Sequence, residues 1–168
     1  CGHGQLENVV PPEILYSSGD YHFRTATSAS GSKVNDDFVT FIKDTIGDRH
    51  FSTIIEIGAG DLYLLEALED RADHLIGIDP ILEGFESPNP KITAIGDFLE
   101  NLNLEDFDLD DCLILCSHTL EHVEDPRGMI ESLFKHATEN AVFCFQFPGL
   151  DALVENCRFD QIFHRHLN

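Results

Sequence analysis

The chain has 168 residues, 42% hydrophobic and 24% charged, with 31 Asp plus Glu against 10 Lys plus Arg and a formal net charge of −21. That is enough apolar material to bury a core, which excludes global disorder, and the length suits one domain or a large piece of one. The acidity argues against a nucleic-acid backbone or an anionic membrane as partner, and no stretch approaches the ~18 apolar residues of a bilayer span.

The first residue is Cys1 rather than Met, with no signal-like prefix after it, so the sequence reads as a piece of a longer chain or a processed product. Residues 1–32 are rich in turn formers and small polar residues (PPE, SSGD, TATSASGS) and read as an irregular lead-in. From Lys33 the pattern turns helical: Val34, Phe38, Phe41, Ile42 and Ile46 share one face, and Gly47 ends it. Short apolar runs then predict strands at 53–57, 74–79, 91–95, 112–117 and 141–147. Helices are expected at 62–68 and 126–136. The second of these is well marked, with Asp125 as cap, Pro126 in the first position and a buried stripe of Met129, Ile130, Leu133 and Phe134. Near-continuous apolar strands alternating with helices predict an α/β fold, a mostly parallel sheet with helices on both faces. Of the cysteines, Cys112, Cys116 and Cys144 lie in apolar runs and read as small core hydrophobes. Their odd total of 5, without paired spacing, points to a reducing, cytoplasmic compartment.

The expected strand ends carry the chemistry. Glu56-Ile57-Gly58-Ala59-Gly60-Asp61 runs from a strand into a helix, and its glycines permit a tight turn and close approach of a ligand to the backbone. A dinucleotide fingerprint would place a third glycine at position 63, where Tyr63 stands. Asp79, followed by Pro80, closes the second strand and suits two ribose hydroxyls. Asp97 and Phe98 follow the third, as hydrogen-bond acceptor and apolar surface for an adenine ring. Ser117 to Pro126 (SHTLEHVEDP) follow the fourth. Within it His118 and His122 stand four apart like a helical metal pair, but a strand-to-helix turn suits the string better. The acidic run at 103–111 lacks the glycine turn and closing glutamate of a calcium loop and reads as a solvated connection. A single strand-end Gly or Asp is commonly only a turn or a cap. Four in register on consecutive strand ends point to one ligand.

These motifs resemble the class I S-adenosylmethionine-dependent methyltransferases over about residues 51–147. The resemblance implies a Rossmann-like sheet and an enzyme that takes S-adenosylmethionine as cofactor. Glu56, Gly58, Ala59 and Gly60 would lie at its methionine end, and Asp79 and Pro80 at the ribose. Asp97 and Phe98 would lie at the adenine, and Ser117 and His118 beside the transferable methyl. One departure is Leu62, where the superfamily commonly has a third loop glycine; a side chain there is expected to narrow the cofactor cleft.

The flanks are similar to a smaller group, the sugar C-methyltransferases that act on nucleotide-linked keto-deoxysugars. Cys1-Gly2-His3-Gly4-Gln5-Leu6 resembles the end of that group's zinc-binding segment, and Tyr21 to Ser28 an aromatic-rich stretch. Phe159 to His166 (FDQIFHRH) resembles a motif Phe-Asp-x-Ile-Tyr-His-Glu-His. By that resemblance His166 is the catalytic base with His164 beside it, and Tyr21 hydrogen-bonds the keto oxygen of an enolate-forming acceptor. Cys1 would be the last zinc ligand, with zinc bound only in the longer chain. Phe163 and Arg165 replace the group's Tyr and Glu, removing a hydroxyl and reversing a charge. The implied organisation is a lead-in at 1–32, the end of a truncated zinc segment and a substrate lid, followed by the cofactor-binding domain at 33–168. The C-terminal strands of the fold are expected to lie beyond the end. The expected partner is a small-molecule acceptor, a nucleotide sugar, and not nucleic acid or membrane. O- or N-methyl transfer, a cofactor-binding module without chemistry, and a nicotinamide-dependent oxidoreductase are the alternatives.

Overall fold

Uninterrupted runs of Ile, Leu, Val and Cys decide the centre of the molecule. The computed structural model describes residue 7 and residues 29–157. In it the runs become β1 (Phe51–Ile57), β2 (Ala72–Ile78), β3 (Ile92–Ile95), β4 (Cys112–Ser117) and β5 (Val142–Gln146). They form one 5-stranded sheet in the order β3-β2-β1-β4-β5, parallel at every pairing. Alternate residues serve opposite faces. Ile54, Leu113 and Leu115 join Phe38, Ile42 and Leu65 in one apolar cluster, while Ile55, Ile114 and Cys116 join Met129 and Leu133 in the other. This is the Rossmann-like sheet the sequence predicts, covered by helices on both sides.

The helices are α1 (Ala29–Ile46), α2 (Tyr63–Ala67), α3 (Pro126–His136) and α4 (Leu150–Glu155). Gly47 ends α1 as expected, at φ 60, with its N–H donating to the Lys43 carbonyl at 3.0 Å. The Asp125 carboxylate caps α3 by accepting from the Gly128 N–H at 2.9 Å. Four details differ from the sequence pattern. Helix α1 starts at Ala29, ahead of Lys33, and α4 was not foreseen, because LDALVE is too short to show a period. The buried face of α1 is Asn35, Phe38, Val39 and Ile42, with Val34 and Phe41 exposed. Two adjoining apolar stripes satisfied the helical spacing, and packing against β1 and α2 selected one. Likewise Phe134 is 57% exposed, lying stacked on Phe143 with ring centroids 4.4 Å apart. Cys112, Cys116 and Cys144 are buried free thiols, as the apolar runs implied. Among the described residues no helix is long and apolar enough to cross a membrane.

The chain builds β1, β2 and β3 outward on one side, then crosses back to lay β4 and β5 on the other. The carboxyl ends of β1 and β4 therefore part around a crevice, the place where open α/β sheets hold ligands.

Candidate functional site

Two loops face each other across that crevice. The first leaves β1 through Gly58 at φ 75, Gly60 at φ 50 and Leu62 at φ 64. Its Gly58 and Ala59 N–H groups both reach the Ile78 carbonyl, at 2.8 and 3.2 Å, which fastens the loop to the end of β2. Gly58 is required twice over: its backbone is left-handed, and a Cβ there would stand 1.9 Å from Thr119 Oγ1. Leu62 holds a left-handed backbone that costs an L-residue roughly 1–2 kcal/mol. Its side chain is 3% exposed and packs beneath the loop against Gly77, where a Cβ would lie 2.5 Å from Leu62 Cδ2. The expectation that Leu62 narrows the cleft is therefore corrected. A glycine in β2 makes room for it in the core, away from the ligand side.

The second loop leaves β4. Ser117 Oγ donates to Gln146 Oε1 at 2.8 Å, and the His118 N–H donates to the Gln146 carbonyl at 2.8 Å. His118 is left-handed at φ 51. Thr119 turns back, its hydroxyl donating to the Ser117 carbonyl at 3.1 Å, and so comes to rest over Gly58. A 3-10 turn, Leu120–His122, follows. It swings Glu121 inward, so that Glu121 Oε1 lies 3.5 Å from His118 Nδ1, with the two side chains 5% and 42% exposed.

Glu56, Gly58, Ala59, Gly60, Ser117 and His118, all singled out from the sequence, line a solvent-open cleft. Asp79 adjoins it: its Oδ2 accepts from the Gly60 N–H and its Oδ1 from the Ile81 N–H, each at 3.0 Å. A carboxylate offers about four lone-pair positions, so roughly two remain for a ligand's hydroxyls. Pro80, Asp97 and Phe98 stand at the neighbouring ends of β2 and β3 but do not line this cleft. Asp97 Oδ1 accepts from the Phe98 N–H at 2.8 Å and from the Asn101 amide at 2.7 Å, which stiffens that strand end. Cys1, Tyr21, His164 and His166 lie outside the described residues. Among the described residues no three His, Cys, Asp or Glu side chains converge as a metal site.

Sequence reasoning missed other walls of the cleft: Asn35, Asp61, Tyr63 and Leu64. Asn35 had a readable signal, a polar residue set among the apolar positions of α1. The Tyr63 hydroxyl donates to the Asp36 carboxylate, tying α2 to α1 above the cleft.

The electrostatics divide the site. Glu56 is buried, with Oε2 unpartnered, and burial, aided by the negative charges of Asp61 and Asp79, holds its carboxyl well above the ordinary range. Burial also raises Asp79, against the backbone hydrogen bonds from Ile81 and Gly60. At Glu121 burial again pushes upward, but His118, a backbone N–H and His122 outweigh it and hold the carboxyl below its usual value. Between them the Cys116 thiol is pushed up to about 12, chiefly by burial, which leaves it an inert core group. The cleft thus offers a buried carboxyl lacking a cation, a backbone-only floor and a carboxylate with spare acceptor positions. That donor set fits a ligand that carries an ammonium or sulfonium charge and vicinal hydroxyls.

Comparison with known proteins agrees with this layout. A family model described as a methyltransferase domain matches residues 29–168, and the chain belongs to that family. The C-methyltransferase NovU of Streptomyces niveus is 22% identical over 174 residues, which cover 100% of this chain and 40% of that protein. The chain therefore spans less than half the length of this curated relative. The plantazolicin methyltransferase BamL, solved with S-adenosylhomocysteine and a triazolic desmethylPZN analog, superposes with a TM-score of 0.60 at 14% identity, covering 84% of this chain and 60% of that one. DhpI, solved with S-adenosylmethionine, gives 0.59 at 16% identity, covering 93% and 76%.

Proposed function

Taking that membership as the premise, we propose that this chain holds S-adenosylmethionine across the carboxyl ends of β1, β2 and β4. There it serves methyl transfer to a small molecule, a carbon of a nucleotide-linked keto-deoxysugar. The observation that carries the cofactor reading is the unpartnered, buried Glu56 Oε2 beneath the Gly58–Gly60 turn, beside Asp79. Leaving such an oxygen unpaired costs about 1–3 kcal/mol, which a ligand ammonium would recover. In this arrangement Glu56 takes the ligand's positive end and the loop backbone lies against its chain. The free acceptor positions of Asp79 take the ribose, and Asp97 with Phe98 flank the base. When bound, the cofactor supplies an electrophilic methyl group, and Ser117 and His118 border the point where it is presented.

The sugar reading is supported by the similarity to NovU and by the CGHGQL and FDQIFHRH strings. In it His166, His164 and Tyr21 would come from residues 1–28 and 158–168 to serve an enolate, and Cys1 would join a zinc site of the longer chain. The buried free thiols support a reducing, cytoplasmic location.

Titration calorimetry of the full-length protein with S-adenosylhomocysteine tests the cofactor reading. A heat of binding is expected, and Asp79→Ala should abolish it. No heat from the parent protein would end the proposal. Mass spectrometry after incubation with S-adenosylmethionine and nucleotide-linked keto-deoxysugars tests the acceptor: a gain of one methyl on the sugar supports it, and methylation only of another class of small molecule refutes it.

A further inference from the structure

We propose that His118 and Glu121 form the proton-accepting pair of this site: Glu121 fixes the imidazole, and His118 Nε2 receives the proton that the methyl acceptor gives up. The proposal rests on the reading of the cleft as a methyl-transfer site and places the base at His118, within the described core, in place of His166.

Position comes first. His118 lines the same cleft as Glu56 and Gly58, and its side chain is 42% exposed, within reach of both acceptor and water. Its left-handed backbone at φ 51 is uncommon for a residue other than glycine. The surroundings hold it there: its N–H is bound to the Gln146 carbonyl at 2.8 Å, and the next residue, Thr119, is seated on Gly58. Such sparsely populated backbone clusters at functional sites, where the fold enforces it.

The partner supplies the chemistry. Glu121 is buried, with one oxygen toward His118 Nδ1 at 3.5 Å and the other without a hydrogen-bond partner. A carboxylate held ionised is an acceptor only, so the ring nitrogen facing it carries the hydrogen. In the neutral ring that leaves the lone pair on Nε2, turned away from Glu121. A carboxylate fixing the tautomer of a histidine base is a recurring solution in proton transfer. Glu56 in the cleft and Glu121 behind it also differ in the useful sense. Glu56 is biased toward its protonated form and Glu121 toward its ionised form, a separation typical of sites with divided acid–base roles.

In the step itself the acceptor's C–H or O–H bond breaks and its proton passes to His118 Nε2. The electron pair left behind forms the bond to the incoming methyl carbon, whose former bonding pair stays on sulfur. The proton then leaves Nε2 for solvent. Glu121 touches no reacting atom; it is a positioning residue.

The test uses the full-length protein with 15N-labelled histidine, with S-adenosylhomocysteine bound. Long-range proton–nitrogen spectra should show His118 as the Nδ1–H tautomer, assigned by its loss in His118→Asn, a residue that tolerates left-handed backbone. Glu121→Gln should give a tautomer mixture and Glu121→Asp should retain the parent form, each with unchanged heat of binding; if the Gln variant fails to fold, Glu121→Asp and His118→Asn carry the test. In turnover of a nucleotide-linked keto-deoxysugar, His118→Asn should slow methyl transfer about 100-fold or more, within the range of lost general bases. An Nε2–H tautomer in the parent, or a spectrum indifferent to Glu121→Gln, overturns the pairing. Full turnover by His118→Asn beside an inactive His166→Asn would assign the base to His166 and overturn the proposal. Absence of any heat from the parent would instead remove the cofactor reading beneath it.

Discussion

The loops after β1 and β4 enclose one cleft and are made in opposite ways. The β1 loop brings backbone to the cleft at Gly58 and Gly60, with Asp61 at its wall and Leu62 turned into the core. The β4 loop presents side chains, Ser117 and His118 at the cleft and Glu121 behind them. A surface built from main chain can lie close to any cofactor of the right outline but cannot take a proton. A surface built from side chains can do chemistry but needs something to hold it. The two meet where Thr119 rests on Gly58, so the β1 loop is also the support of the β4 loop.

That dependence can be broken most sharply at Gly58. Gly58→Ala places a Cβ 1.9 Å from Thr119 Oγ1 at a left-handed position. Strain and overpacking together should cost about 2–4 kcal/mol in denaturant unfolding and abolish S-adenosylhomocysteine binding. Adding Thr119→Gly should recover the overpacking part but not the backbone part. If the double variant is no better than the single one, the two loops are not in register as described.

Leu62 tests the claim that the first loop keeps its side chain out of the cleft. Leu62→Ala should destabilise by about 2–4 kcal/mol through an unfilled core volume while cofactor affinity changes little. Leu62→Gly, although it removes one more carbon, should be at least as stable as Leu62→Ala, because glycine releases the left-handed strain. A rise in affinity in either variant would mean the side chain had been obstructing the ligand.

The buried acids sharpen the contrast through pH. Glu56 is held above its ordinary value of 4.5, so its contribution is fully present below that value and is lost as pH rises through the folded pKa. Glu121 is held below 4.5, so its contribution is present above that value and is lost as pH falls through the folded pKa. In thermal melts at about pH 8, Glu56→Gln should therefore raise the midpoint and Glu121→Gln lower it; the first difference should shrink as pH falls toward 4.5, the second only below 4.5. Shifts of the same sign would contradict the division of the site. Smallest of all should be Lys33→Ala, which breaks an exposed pair with Asp37. It should move unfolding by less than about 0.5 kcal/mol and leave the cofactor heat untouched.

Much of this was legible before folding. Short uncharged runs such as CLILC, bounded by turn residues, suit a strand buried on both faces, and the turn residues after them then sit at the carboxyl ends. Sequence alone therefore determined the parallel sheet, the cleft at the ends of its strands, and Glu56, Gly58, Gly60, Asp79, Ser117 and His118 as residues of that region. The periodicity of α1 did not reveal which apolar stripe is buried, nor that Asn35 faces the cleft, because a helical period defines a face only to within one neighbouring stripe. Only the tertiary structure decided that Leu62 fits over Gly77, that Thr119 fits over Gly58, and that Glu121 turns in beneath His118. The first two are contacts between separate strand ends, set by parallel register rather than by neighbouring residues. The third depends on the left-handed turn at His118, which a string of ordinary residue types does not announce.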